Sequence, residues 1–206
     1  CKLVTNCDVM KDRELTEKKI LEAVAEIVGD MGFEALGVNA IAQRAGISKV
    51  LIYRYFESLD GLIARFVLEK DYWGNVRSAP EGVEDVASFL KALFRRQLSL
   101  LREDIVLKRL HRWELSSEKA FIDDLREQRE VSGGRLIEMV SRLVGAPWGE
   151  VATMATILSA SISYLALLEE RTETYNGISL RSDDGWEQIT KGMDLLIDLW
   201  LSAHTK

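Results

Sequence analysis

Apolar residues recur every three or four positions along almost the whole of this chain. Ile20, Leu21, Val24, Ile27 and Val28 form one stripe, and Leu62, Ile63, Phe66 and Val67 form a second. Met193, Leu196, Ile197, Trp200 and Leu201 form another near the end. That spacing puts each set on one face of an α-helix. Only two prolines interrupt 206 residues, whereas a β-rich chain of this length needs far more turn punctuation. With 47% hydrophobic residues, the chain can bury a full core. The spacing predicts an all-α protein.

Helix boundaries follow from capping chemistry. Thr16 is the expected N-cap of the first helix, and Gly32 stands just past its end. A short helix is expected over Val38 to Ala45, and another from the Ser48 cap to about Phe56. Ser58 opens a fourth that reaches toward Tyr72 or Trp73. The RSAPEG stretch, Arg77 to Gly82, is the expected break between an N-terminal unit and the rest. Beyond it helices are expected near 83–101, 104–114, 118–144, 149–171 and 184–203, with 172–183 a mobile polar loop.

The segment AGISKVLIYRYF, residues 45–56, is unlike its surroundings. The chain carries a net charge of -6, yet no acid lies between Ala35 and Phe56, where Arg44, Lys49 and Arg54 supply three cations. Two short helices separated by Gly46 and Ile47 make a helix-turn-helix candidate. Ala42 supplies the small side chain at the crossing, and Gly46 the left-handed turn. With Ile52 and Phe56 turned inward, Ser48, Lys49, Val50, Leu51, Tyr53, Arg54 and Tyr55 remain near the surface. Cations and hydroxyls suit phosphate oxygens, and apolar side chains suit thymine methyls in the major groove. The pattern points to duplex DNA. The competing reading is a solvated cationic helix with half-buried tyrosines.

Residues 16–66 closely resemble the N-terminal domain of the TetR family of bacterial transcriptional regulators. The resemblance rests on G-F-E-A at Gly32 to Ala35, I-A-x-x-A-G-I-S-K from Ile41 to Lys49, and Y-R-Y-F from Tyr53 to Phe56. It implies a DNA-binding unit of three helices, joined by a long fourth helix to a C-terminal helical domain that binds a small molecule and pairs two subunits. The implied division is a leader over 1–12, the helix-turn-helix domain over 13–57, and the effector-binding and dimerisation domain over 58–206. Carried over residue by residue, Lys49, Tyr53 and Tyr55 would meet phosphates, and Asn39, Val50 and Leu51 would face bases. Arg44, Ser48 and Arg54 complete the expected DNA-binding set. The chain departs from the family at Gly37, where a Ser or Thr cap is usual. It also has Leu59 where a Lys commonly stands, and Val50 and Leu51 where the usual pair is a small residue and Thr.

The C-terminal half has no named motif. Ala155, Leu158, Ile162 and Leu165 form one stripe, and Met193, Leu196, Ile197, Trp200 and Leu201 another; both are expected at a homodimer interface. Phe94, Trp113, Phe121, Met154 and Tyr164 are candidate lining residues of an effector pocket, with His111 as a polar partner. Val151 to Leu168 is uncharged for 18 residues, but five are Ser or Thr and no basic cluster flanks the run, so it reads as an interface helix rather than a membrane span.

Catalysis has little support. There is no Gly-rich phosphate loop, no HExxH and no serine elbow, and only two histidines are present, His111 and His204. Cys1 and Cys7 both lie in the leader without a ligand cluster, so no metal, no cofactor and a reducing cytoplasm are expected. Met10 reads as the natural start. The expected function is a ligand-responsive regulator, a repressor rather than an enzyme, that binds a near-palindromic operator as a homodimer and is released by an unknown small molecule. The alternative is a helical protein-binding adaptor that never touches DNA.

Overall fold

The computed structural model describes residues 6–70 and 86–204. The expected break at Arg77–Gly82 and the end of the fourth helix near Trp73 lie outside them. The N-terminal elements are α1 (Asn6–Met31), a 3-10 turn (Phe33–Ala35), α2 (Val38–Ala45), α3 (Lys49–Phe56) and α4 (Leu59–Lys70). The remainder is α5 (Val86–Glu103), α6 (Ile105–Glu114), α7 (Ala120–Val144), α8 (Trp148–Leu168), a two-stranded hairpin of β1 (Thr174–Tyr175) and β2 (Ile178–Ser179), and α9 (Asp183–His204). The expected all-α architecture is the observed one.

Helix α1 does not begin at Thr16. It starts ten residues earlier, and the Thr16 hydroxyl donates to the Asp12 carbonyl at 2.7 Å from inside the helix. The preceding run ends on Arg13, Glu14 and Leu15, which lose little rotamer freedom in a helix. An i,i+4 pair between Arg13 and Glu17 at 2.6 Å adds to this. The first cap signal was therefore passed over.

The loop over 172–183 is also ordered, contrary to expectation. Asn176 (φ 51°) and Gly177 (φ 81°) form a two-residue turn, with Thr174 opposite Ser179 and Tyr175 opposite Ile178. Asn-Gly is the favoured sequence for such a turn because both central residues need positive φ. Leu180 and Trp186 lock the hairpin onto the body: both are buried, and the Trp186 indole donates to the Leu180 carbonyl at 2.6 Å.

One buried apolar cluster runs through both halves of the chain, from Ile20, Ile41 and Ile52 to Leu110, Leu158 and Ile197. Helix α1 packs on α2, α4 and α6, while α8 packs on α5, α6 and α7. The two halves meet along a row of rings. Phe66 of α4 lies 6.3 Å from Phe33, which stacks on Trp113 of α6 at 4.5 Å and 10°, and Phe121 of α7 follows at 6.2 Å. Arg109 of α6 donates to the Val28 carbonyl near the end of α1 at 2.6 Å.

Candidate nucleic-acid interface and interior cavity

The turn between α2 and α3 is built as the spacing predicts. Gly46 ends α2 at φ 64°, ψ 38°. Its N–H donates to Gln43 and that of Ile47 to Ala42, at 3.2 and 3.0 Å. This is a Schellman closure, and it requires a left-handed residue at the glycine. Ala42 and Ala45 are buried where the helices cross. The Ser48 hydroxyl accepts from the Val50 N–H and caps α3, whereas Gly37 caps α2 with no side-chain bond.

Of the nine residues expected at DNA, Asn39, Ser48, Lys49, Val50, Tyr53 and Arg54 are exposed. Val50 is 66% and Tyr53 51% accessible, high values for large apolar or aromatic groups on a single chain. Lys49 and Arg54 make no ion pair with any described residue. Leu51 and Tyr55 are half-buried. The Tyr55 ring packs on the core, and the Arg13 guanidinium lies 5.4 Å above it. Arg44 is exposed too but is tied to α1, 3.2 Å from Glu26 and 3.0 Å from Asp30. Its first task is to fasten α2 to α1, which leaves Lys49 and Arg54 as the uncommitted cations of the face.

Between α5, α6, α7 and α8 lies a cavity of about 510 Å³, a size suited to a small organic molecule; it is open to solvent past the exposed Leu115, Glu130 and Thr156. Phe94 and His111 line it as expected. Trp113 and Phe121 do not; they belong to the ring row that joins the two halves. Met154 borders a separate void of about 30 Å³. Tyr164 is exposed on α8, edge-on to Tyr175 at 5.9 Å.

Apart from His111, the charged and amide groups of the cavity escaped the sequence reading. His111 is buried, with Nδ1 3.4 Å from the Glu114 carboxylate. Arg129 of α7 reaches both Glu114 oxygens at 2.9 Å. Burial pushes the Glu114 carboxyl up, but bonds from His111 and Arg129 and their charges outweigh it, so its pKa falls below the ordinary value. Gln97 of α5 also lines the cavity and is 1% exposed. The signal was present in the spacing. Phe94, Gln97, Leu98 and Leu101 share one face, as do Leu107, His111 and Glu114, so each polar residue stands in an inward stripe.

The expected dimer stripes turn mostly inward in the single chain. Leu158, Ile162, Met193 and Ile197 are buried in the chain's own core, and Ala155, Leu165, Trp200 and Leu201 are partly buried beside them. Of the named residues only Leu196 is exposed. The exposed large apolar residues are Trp148, Ile157 and Tyr164 on α8 and Leu195, Leu196 and Leu199 on α9. Helix α8 is apolar all round, so periodicity alone could not show which face turns inward. By length and composition it could cross a membrane, and 22% of its most apolar window is buried in the single chain.

Residues 20–66 match the family model described as bacterial regulatory proteins, tetR family. Among curated proteins no match was found. Several solved structures share the fold, among them two regulators. A TetR family transcription regulator from Marinobacter aquaeolei VT8 is 19% identical, with 94% of this chain and 97% of that one covered and a TM-score of 0.62. HlyIIR, a hemolysin II transcriptional regulator, is 15% identical, with 94% and 99% covered and a TM-score of 0.52.

Proposed function

We propose that this chain, which belongs to the tetR family of bacterial regulatory proteins, is a ligand-responsive repressor that binds a near-palindromic operator as a homodimer. The observation that carries the reading is the solvent face of α3. It holds two uncommitted cations, an exposed tyrosine and an exposed valine, and no acid. A helix offered to the major groove needs that composition, since carboxylates would be repelled by the phosphates. Two such helices related by a two-fold axis read two half-sites. The division of labour is 13–57 for DNA and 58–206 for effector and partner, in the cytoplasm where the operator lies.

The pairing surface we assign is the exposed apolar face of α8 and α9, with Ile157, Leu195, Leu196 and Leu199 at its centre. Effector release follows from how α6 is held. One side of α6 lines the cavity through His111 and Glu114; another grips the DNA-binding unit through Arg109 and Trp113. A molecule in the cavity displaces α6 and tilts α4 with it, so the two recognition helices no longer match successive grooves. By linkage, the effector binds the low-affinity state more tightly by the same factor that it weakens DNA binding.

The direct test is a gel shift against the protein's own upstream DNA over a salt series. A salt-sensitive shift is expected. Lys49→Ala should weaken binding uniformly across sequences and reduce the salt slope by about two, one unit for each copy in the dimer. A chain that gives no salt-sensitive shift, or whose shift ignores Lys49→Ala, is an adaptor rather than a regulator.

A further inference from the structure

The cavity between α5, α6, α7 and α8 carries chemistry that narrows its occupant. Its walls are largely apolar, with Leu93, Phe94, Leu136, Ile137, Ala155 and Leu167 among them. Gly133 and Gly134 open it further on the α7 side. A Cβ added at either would meet nothing within 4 Å, yet glycine in a helix interior is destabilising relative to alanine. Two adjacent glycines in α7 are therefore kept against helix propensity where they leave room.

His111, Glu130, Thr156, Ser159 and Ser163 also line this space, and two further polar features bear on its occupant. Glu114 and Arg129 are paired with one another, so the buried ions of the wall cancel. A charged ligand seated against that pair would have to part the two to gain a counter-ion, and Glu130, the other ion of the lining, is exposed to solvent, so such a ligand would lose hydration with little return. Gln97 is the second feature. It is almost fully buried, and neither its Oε1 nor its Nε2 has a hydrogen-bond partner in the protein. A buried amide left unpaired is destabilising and rare in folded proteins. It supplies an acceptor and donors side by side, which is the pattern that a second amide complements.

We infer that the effector is an uncharged, mainly apolar molecule bearing a lactam or primary carboxamide, whose C=O and N–H pair with Nε2 and Oε1 of Gln97. This rests on the regulator reading only for the word effector; the binding chemistry stands apart from it.

The test is calorimetric titration of the full chain, without DNA, using five bicyclic probes of nearly one shape. 2-Oxindole carries both N–H and C=O, 2-indanone only C=O, and indane neither; 2-aminoindane is a cation and indane-2-carboxylate an anion. The expected order places 2-oxindole at least about tenfold tighter than 2-indanone and indane, with both ions no better than indane. Gln97→Leu should erase or invert the preference for 2-oxindole and raise the melting temperature of the empty protein, because the unpaired amide is gone. Gly134→Leu, which leaves Gln97 in place but fills the cavity, should abolish binding of all five and guards against a Gln97 variant that fails to fold. Equal affinities, preference for either ion, no binding of 2-oxindole, or an unchanged order in Gln97→Leu overturns the inference; the last outcomes mean that water satisfies Gln97. A parallel gel shift separates the two readings. Gln97-dependent binding that leaves DNA affinity untouched keeps the ligand class and removes effector release.

Discussion

At the scale of single residues, the DNA-binding unit depends on two left-handed backbone positions that behave oppositely. Gly46 closes α2 at φ 64° with no side chain to object. Gly46→Ala introduces a Cβ into that conformation and should cost about 1–2 kcal/mol in chemical denaturation. Glu57, between α3 and α4, stands at φ 65°, ψ −42°, and the Ser58 N–H donates back across it to the Phe56 carbonyl at 2.7 Å. That is a γ-turn of the rare, strained kind. The chain has little choice there, because α4 backs onto the end of α3 so closely that a Cβ at Gly61 would lie 2.3 Å from the Phe56 carbonyl oxygen. Glu57→Gly should raise stability by about 1 kcal/mol, since relief of the strain outweighs the added chain entropy. It also removes an acid beside the recognition helix, so the same variant should bind DNA no worse than the parent. Loss of stability in Glu57→Gly would show that the turn is not strained.

At the scale of elements, α6 connects everything. Lys108 is buried against Glu169 at the end of α8 at 3.0 Å, Arg109 holds α1, Trp113 holds the 3-10 turn, and Glu114 meets Arg129 of α7. Because the Glu114 carboxyl has its pKa lowered in the folded state, its contribution is complete above the ordinary carboxylate range and is lost as pH falls through the lowered value. Glu114→Gln should therefore cost up to about 3 kcal/mol at neutral pH. The gap from the parent should close on acidification, as measured by denaturation midpoints at several pH values. A gap independent of pH would mean that the carboxylate charge contributes nothing.

The elements also show what was legible beforehand. The helix-turn-helix was readable because Ala42, Gly46 and Ser48 each answer a local backbone demand. The hairpin was equally readable from Asn176-Gly177, but its polar flanks masked the signal. The cavity's polar members are different. Gln97 and Glu114 stand in apolar stripes, yet which of them pair depends on how α5, α6 and α7 come together, and no local rule contains that. The facing of α8 was hidden for the same reason: with every side apolar, only its neighbours decide which side is covered.

At the scale of the whole molecule, charge and symmetry must work together. Each chain carries -6, so DNA is repelled by most of the surface and approaches only the α3 face. With Lys49 and Arg54 as the uncommitted cations of that face, one subunit alone offers weak, shallowly salt-dependent binding. In the proposed dimer a second copy would supply the missing affinity through effective concentration rather than new contacts, commonly a factor of 10² to 10⁴. The face assigned to that pairing makes a sharp prediction, because its residues are exposed in the single chain. Ile157→Glu with Leu199→Glu should leave monomer stability within about 0.5 kcal/mol, as surface substitutions do. The variant should sediment as a monomer, bind operator at least 100-fold more weakly, and show about half the parent's salt slope. Leu158→Ala, at the next residue along α8 but in the chain's own core, should instead cost about 2–5 kcal/mol of stability. If the double glutamate variant stays dimeric with its affinity intact, the subunits meet elsewhere, and the spacing of the two recognition helices must be derived from a different axis.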